Sequence, residues 1–181
     1  MDVFVKELNF TFASEYEIST PILSYSARKA IFSFNDKIQL ISQNGKVEAR
    51  IRGHFSPLRQ RHDFILSDGR IFAYRCEKLW KGVFSCTGQG MTFRLLQHRG
   101  LKFSIFQNDS QIAAFTKNRI VFGKGNEYSI RMNSDADLIV VLCLVLTINS
   151  TEDDDNDATV TIDFGNIGPE ERKFDEDWEP R

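Results

Sequence analysis

The sequence predicts a mainly β fold: a closed antiparallel β-barrel enclosing a hydrophobic helix near its C-terminal end, at about residues 135–149. Three observations predict it. Short alternating segments recur with turn dipeptides between them. Sixteen Phe stand against only four Pro; aromatic rings fit a pleated, half-buried surface, whereas Pro interrupts its ladder. Residues 138–148 (LIVVLCLVLTI) form a charge-free apolar run that has to be buried in protein or in lipid. A chain of 181 residues suits one domain with a sizeable core.

The elements follow in order. Residues 4–12 and 22–33 read as strands. Residues 37–43 (KIQLISQ), the dipeptide Asn44-Gly45 and residues 46–52 (KVEARIR) read as strand, tight turn and strand. Asn-Gly favours the type I′ turn, in which both central residues take positive φ. Residues 63–67, Asp68-Gly69 and residues 70–76 repeat the pattern, and residues 101–107, Asn108-Asp109 and residues 111–116 repeat it more loosely. Residues 82–85 and 91–96 are short strands around the turn Gly88-Gln89-Gly90, and residues 126–132 place Tyr128, Ile130 and Met132 on one face. The spacing varies, so these are successive hairpins and not a solenoid repeat.

The apolar run is too short for a membrane helix. Its eleven residues at about 1.5 Å rise cannot cross a hydrocarbon core about 30 Å thick. Its Val, Ile and Leu content also permits a buried strand. A helix is favoured because Ser134, Asp135 and Asp137 offer N-cap side chains, with two carboxylates at the positive end of the helix dipole, and Asn149-Ser150 offers a stop. A helix apolar all round must be buried on every side, and the inside of a closed barrel provides that place.

This combination resembles the tubby C-terminal-like superfamily, in particular its LURP-one-related branch, which is similar to phospholipid scramblases. The residues that carry the resemblance are Ile38-Gln39-Leu40 with Asn44-Gly45 and Val47, their echo Phe64 to Ile71 around Asp68-Gly69, and the ending Asn126 to Ile130 followed by Asp137 to Val141. It covers roughly residues 20–150 and lies in pattern more than in an invariant motif. It implies a barrel of about twelve antiparallel strands wrapped around a hydrophobic helix. It also implies phosphoinositide binding, without a residue-by-residue map of the site. The chain departs from the family in its ending, because a thirty-residue acidic segment follows the helix. Scramblase activity is not expected of a helix too short to span a bilayer.

The charge is divided. Residues 152–181 hold twelve acidic and three basic residues (−9), whereas residues 1–151 hold thirteen acidic and twenty basic (+7), which together give the net −2. The expected organisation is a barrel domain at 1–151 and an acidic, partly disordered tail at 152–181, with a short edge strand where residues 158–164 (ATVTIDF) alternate. A basic body suggests an anionic partner, and an acidic tail suggests self-screening or simple solvation.

The strongest candidate site is Arg50, Arg52, His54, Arg59, Arg61 and His62, six potentially cationic residues within thirteen positions. Arg50 and Arg52 alternate with Ala49 and Ile51, so on a strand they point outward together, about 6.6 Å apart. Two guanidinium forks at that spacing suit neighbouring phosphates or one inositol phosphate head group. The plainer reading is a solvated outer strand face. Asp153, Asp155 and Asp157 match positions 1, 3 and 5 of an EF-hand loop, but Ala158 replaces the turn Gly and Phe164 the bidentate Glu, so no metal site is expected. His54, His62, Cys76 and Cys86 lack zinc-site spacing. Three cysteines without a CxxC, and no secretory leader, point to a reducing, cytoplasmic setting in which Cys143 is plain core.

No catalytic motif is present: there is no G-x-S-x-G, P-loop or H-E-x-x-H. The expected function is therefore non-enzymatic and needs no cofactor. The chain would bind an anionic phospholipid head group or membrane surface through its basic face, as a cytoplasmic protein peripheral to the membrane. The alternative is a structural or scaffolding protein that recognises a protein partner through its acidic tail. No nucleic acid is expected, because the body is only mildly basic and no known binding module appears.

Overall fold

The computed structural model describes residues 1–10, 13–29, 36–54, 61–78, 81–119, 125–153 and 170–181. Twelve antiparallel strands form one closed barrel in chain order. They are β1 Asp2–Phe10, β2 Ala13–Ser19, β3 Ser24–Lys29, β4 Asp36–Ser42, β5 Val47–His54, β6 Arg61–Leu66, β7 Ile71–Lys78, β8 Val83–Gly88, β9 Met91–His98, β10 Lys102–Gln107, β11 Ser110–Arg119 and β12 Asn126–Met132. Each strand pairs with its neighbours in sequence, and β1 closes the ring on β12, with Val3 opposite Ile130 and Val5 opposite Tyr128. Closure removes both sheet edges, so every strand finds a partner on each side.

Alternation decides which side chains enter. Ile38 and Leu40, Ala49 and Ile51, Phe72 and Tyr74, Phe93 and Leu95, and Phe103 and Ile105 are all buried. The rings interlock inside the barrel: Phe103 stacks on Phe115 with centroids 4.5 Å apart, and Tyr74 stacks on Phe84 at 5.7 Å. The outer positions of β5, β6, β7 and β9 carry Arg50, Arg61, Arg75 and Thr92, all exposed. A membrane barrel turns its apolar band outward; here the apolar side faces in. Among the described residues no helix is long and apolar enough to cross a membrane.

The apolar run is a helix, α1 (Leu138–Asp153), and its residues from Val140 to Ile148 are buried. It packs within the barrel, most closely against β4, β5 and β6. The ring of strands is already closed, so a thirteenth strand would find no free edge. A helix satisfies its backbone groups internally instead. Of the candidate cap residues, Asp137 does the work. Its Oδ1 accepts from the Val140 N–H at 3.2 Å, its backbone carbonyl from Val141 at 3.0 Å, and its Oδ2 from Arg70 Nη1 at 2.5 Å. Arg70 also grips Asp68 at 2.7 Å, which ties the β6–β7 turn to the start of the helix. Asn149-Ser150 does not stop the helix, which continues to Asp153. Neither residue costs as much in a helix as Gly or Pro would, so the expected boundary at 151 falls inside α1. Cys143 is core as expected, with its thiol pKa pushed up by burial, and all three cysteines are buried thiols outside any disulfide.

The hairpins differ from expectation in their turns. Asn44-Gly45 and Asp68-Gly69 are not type I′, because only the glycines have positive φ (83° and 88°). The Gly45 N–H donates to the Ser42 carbonyl at 2.8 Å and that of Gly69 to Leu66 at 3.1 Å, closing three-residue loops with a glycine bulge. Asn44 and Asp68 serve as acceptors instead, taking the backbone N–H groups of Lys46 (3.1 Å) and Arg70 (3.0 Å). Two positive φ angles in a two-residue loop occur at Gln89-Gly90 and Asn108-Asp109. The strand β2 was not expected at all. Its pattern is sound, with Tyr16 and Ile18 inside and Glu15 and Glu17 outside, but no turn dipeptide separates it from β1.

Candidate functional site

The β5 strand projects Arg50, Arg52 and His54 outward, because Ala49 and Ile51 fill the core. Arg50 is exposed and lies opposite Gln39 on β4 and Ile65 on β6. Arg52 lies opposite Asp36 and Asp63 in register. His54 Nε2 meets Asp63 Oδ2 at 2.7 Å on the surface. Arg61 is exposed beside His54. The structure therefore brings four of the five expected binding residues together on the outer face of β5 and β6. Arg59 lies outside the described residues. His62 points the other way: it is buried, and its ring lies 5.7 Å from that of Tyr74. The period of two makes this unavoidable, since Arg61 and His62 cannot share a face.

The strand register extends the basic face beyond these residues. Arg61 pairs across strands with Arg75, Arg75 with Ser85, Ser85 with Arg94, and Arg94 with Phe106. His54, Arg61, Arg75 and Arg94 therefore lie in one transverse row from β5 to β9. With strands about 4.8 Å apart, the row spans about 19 Å. Like charges placed directly opposite each other in a sheet are destabilising. Among the described residues, neither Arg61 nor Arg75 has a carboxylate partner in an ion pair. Arg75 was missed in the sequence because it stands alone in its strand, and only the register shows what it faces.

The far end of the row is covered. Residues 170–181 lie against β7 to β10, so this part of the acidic tail is docked on the barrel. Glu171 accepts from Lys78 Nζ at 3.0 Å, with Arg94 at 3.6 Å and Lys81 at 3.8 Å. Glu176 pairs with Lys102. The Arg99 backbone N–H donates to Glu170 at 3.0 Å. Phe174 sits edge-on to the His98 ring at 5.2 Å, with Lys102 Nζ 5.2 Å from its own centroid. Arg172 covers the Phe106 ring at 4.5 Å. At the end, the Arg181 N–H donates to Asn133 Oδ1 at 2.8 Å, and Ser134 N–H donates to the Arg181 oxygen at 2.9 Å. An open cleft of about 440 Å³ lies beside the segment, bordered by Phe106, Asp109, Lys173 and Trp178. Residues 154–169 lie outside the described residues, and with them Asp155, Asp157 and the edge strand expected at 158–164. Asp153 is the last residue of α1. Among the described residues, no three His, Cys, Asp or Glu side chains are grouped to hold a metal ion.

Glu171 links this docking to pH. The Lys78 ammonium holds the Glu171 carboxyl below its ordinary 4.5, with help from Lys81 and Arg94. Its contribution is complete above 4.5 and is lost as pH falls through the lower folded value. Burial pushes His98 below its ordinary 6.5, against the pull of Glu170 and the Arg172 backbone. The folded protein therefore prefers neutral His98, and this preference is lost as pH falls from 6.5 through the lower folded value, while the contacts from the docked segment itself favour the protonated ring. The Phe174 ring resonances are expected to hold their docked positions at neutral pH and to move towards free-peptide values as pH falls below 4.5. A ring environment unchanged across the carboxylate range, read by NMR, would contradict this coupling.

No protein-family model, no curated protein and no solved structure matches this chain.

Proposed function

We propose that this chain is a non-catalytic, tubby-like domain that binds an anionic lipid head group of phosphoinositide type at a cytoplasmic membrane surface. Arg50, Arg52, His54 and Arg61 form the binding face, with Arg59 adjoining in sequence and Arg75 added by the register. The observation that carries this reading is the Arg61–Arg75 pairing. Arg61 and Arg75 face each other across adjacent strands, so the repulsion between their like charges is relieved when an anion lies between them. Each can grip phosphate oxygens with two parallel N–H bonds, and Arg50 and Arg52 on the same outer face offer two more forks to a second phosphate. Asp63 beside Arg52 and His54 restrains the local charge, which favours a discrete head group over indiscriminate polyanion binding. The alternative, recognition of a protein partner by the acidic tail, requires residues 170–181 to leave the barrel.

The test is co-sedimentation with neutral vesicles that do or do not contain an inositol bisphosphate lipid. The wild-type chain is expected to sediment with the phosphoinositide vesicles, less so as salt is raised. The variant Arg61→Glu/Arg75→Glu should lose binding at least about tenfold, since each basic charge near an anionic surface contributes about 1 kcal/mol. Equal and negligible sedimentation of both proteins, or equal binding by both, would sink the proposal.

A further inference from the structure

We propose that the face of β7 to β10 beneath residues 170–181 is a docking site for an acidic peptide of another protein, with the chain's own segment as the resident competitor. The peptide is specified by what is seated there now: a carboxylate, a Phe three positions on, and a second carboxylate two beyond that, as in Glu171, Phe174 and Glu176.

Three subsites are built on the strands. Lys78, Lys81 and Arg94 converge from separate positions on the single Glu171 carboxylate, with both of its oxygens 3.0 Å from Lys78 Nζ. The Phe174 ring lies against His98, a buried side chain fixed by a 3.1 Å contact between its Nε2 and Ser104 Oγ. Lys102 serves two subsites at once, pairing with Glu176 and lying 5.2 Å from the Phe174 centroid. Cations flanking an aromatic seat suit a peptide better than a lipid surface, which offers phosphates but no ring.

The resident segment is held partly by surface ion pairs, besides its Phe174, Arg172 and Arg181 contacts. It forms no helix or strand, and Glu171, Glu176 and most of its other residues stay exposed. Exposed ion pairs of this kind contribute about 0–1 kcal/mol each. The segment nevertheless has the advantage of connection: sixteen residues separate Asp153 from Glu170. A ligand tethered through a short flexible connection competes at an effective concentration on the order of millimolar. A partner peptide gains access by matching the same three anchors more strongly, and the displaced tail is then exposed. This site is independent of Arg61 and Arg75.

The experiment measures fluorescence anisotropy of a labelled peptide corresponding to residues 170–181, titrated with three full-length proteins. They are the wild type, a released variant (Glu171→Gln/Phe174→Ala/Glu176→Gln), and the released variant with Lys78→Glu/Arg94→Glu. Thermal melting verifies that each is folded, and Lys102→Gln replaces the double reversal if that variant does not fold. The released variant is expected to bind the peptide at least about tenfold more tightly than the wild type, because the tethered competitor is gone. The charge-altered variant should lose that binding, and a peptide with Phe174→Ala should bind the released variant more weakly. Equal binding by wild type and released variant, no binding by the released variant, or binding that survives loss of the basic residues would each overturn the proposal. Phosphoinositide vesicles captured by the released variant through Lys78 and Arg94, with the peptide ignored, would assign the face to a membrane and overturn it as well.

Discussion

Leu142→Asp is expected to abolish folding, leaving no cooperative thermal transition. Leu142 is fully buried, in a helix surrounded by strands. Its own burial contributes about 1.5–3 kcal/mol. The larger loss comes from the new carboxylate, which would have to enter the barrel unpaired or be neutralised, at a cost of several kcal/mol. Together these losses approach or exceed the total stability of an ordinary domain, about 5–15 kcal/mol. Leu142→Met, which keeps volume and polarity, should cost less than about 1.5 kcal/mol. Circular dichroism melts of the two variants separate polarity from packing. A Leu142→Asp protein that stays in solution and melts cooperatively would show that this position is not enclosed.

Phe103→Ala should destabilise the barrel by about 3–5 kcal/mol, the usual cost of emptying a buried aromatic site. Phe103 is fully buried and stacks on Phe115 at an interplanar angle of 6°, and Phe115 in turn approaches Tyr128 with centroids 6.3 Å apart. The cavity would therefore open against the Phe115 ring of β11, next to the strand that closes the ring on β1. Denaturant unfolding measures the loss as a lower midpoint at unchanged slope. Phe4 provides the contrast: it is 58% exposed, and Phe4→Ala should stay within about 0.5 kcal/mol of the wild type. Equal costs at the two positions would contradict the assignment of inside and outside.

Much of this architecture was legible in the residues because it rests on local rules. The alternation in residues 46–52 turned Arg50 and Arg52 outward, and the length of the apolar run excluded a spanning helix. The same rules explain the misses. A turn dipeptide marks where a hairpin reverses but does not decide the loop type: Asn44 and Asp68 accept backbone hydrogen bonds where positive φ was expected. The β2 strand follows β1 with no such mark. Counting Arg61 and His62 in one cluster ignored that neighbours in a strand face opposite ways. The pairing of Arg61 with Arg75 depends on strand register, and the seating of Glu171 on Lys78 joins residues 93 positions apart. Such contacts leave no local signature. The acidity of the tail was readable, but the basic surface opposite it is assembled from β7, β9 and β10 only when the barrel closes.

The most direct test of the account is a chemical-shift titration of the labelled full-length chain with a soluble inositol bisphosphate or trisphosphate head group, followed residue by residue. The account predicts saturable shifts centred on His54, Arg61 and Arg75 and extending to Arg50 and Arg52, lost in Arg61→Glu/Arg75→Glu. Shifts scattered evenly over the barrel, shifts centred away from β5, β6 and β7, or none at all would contradict it.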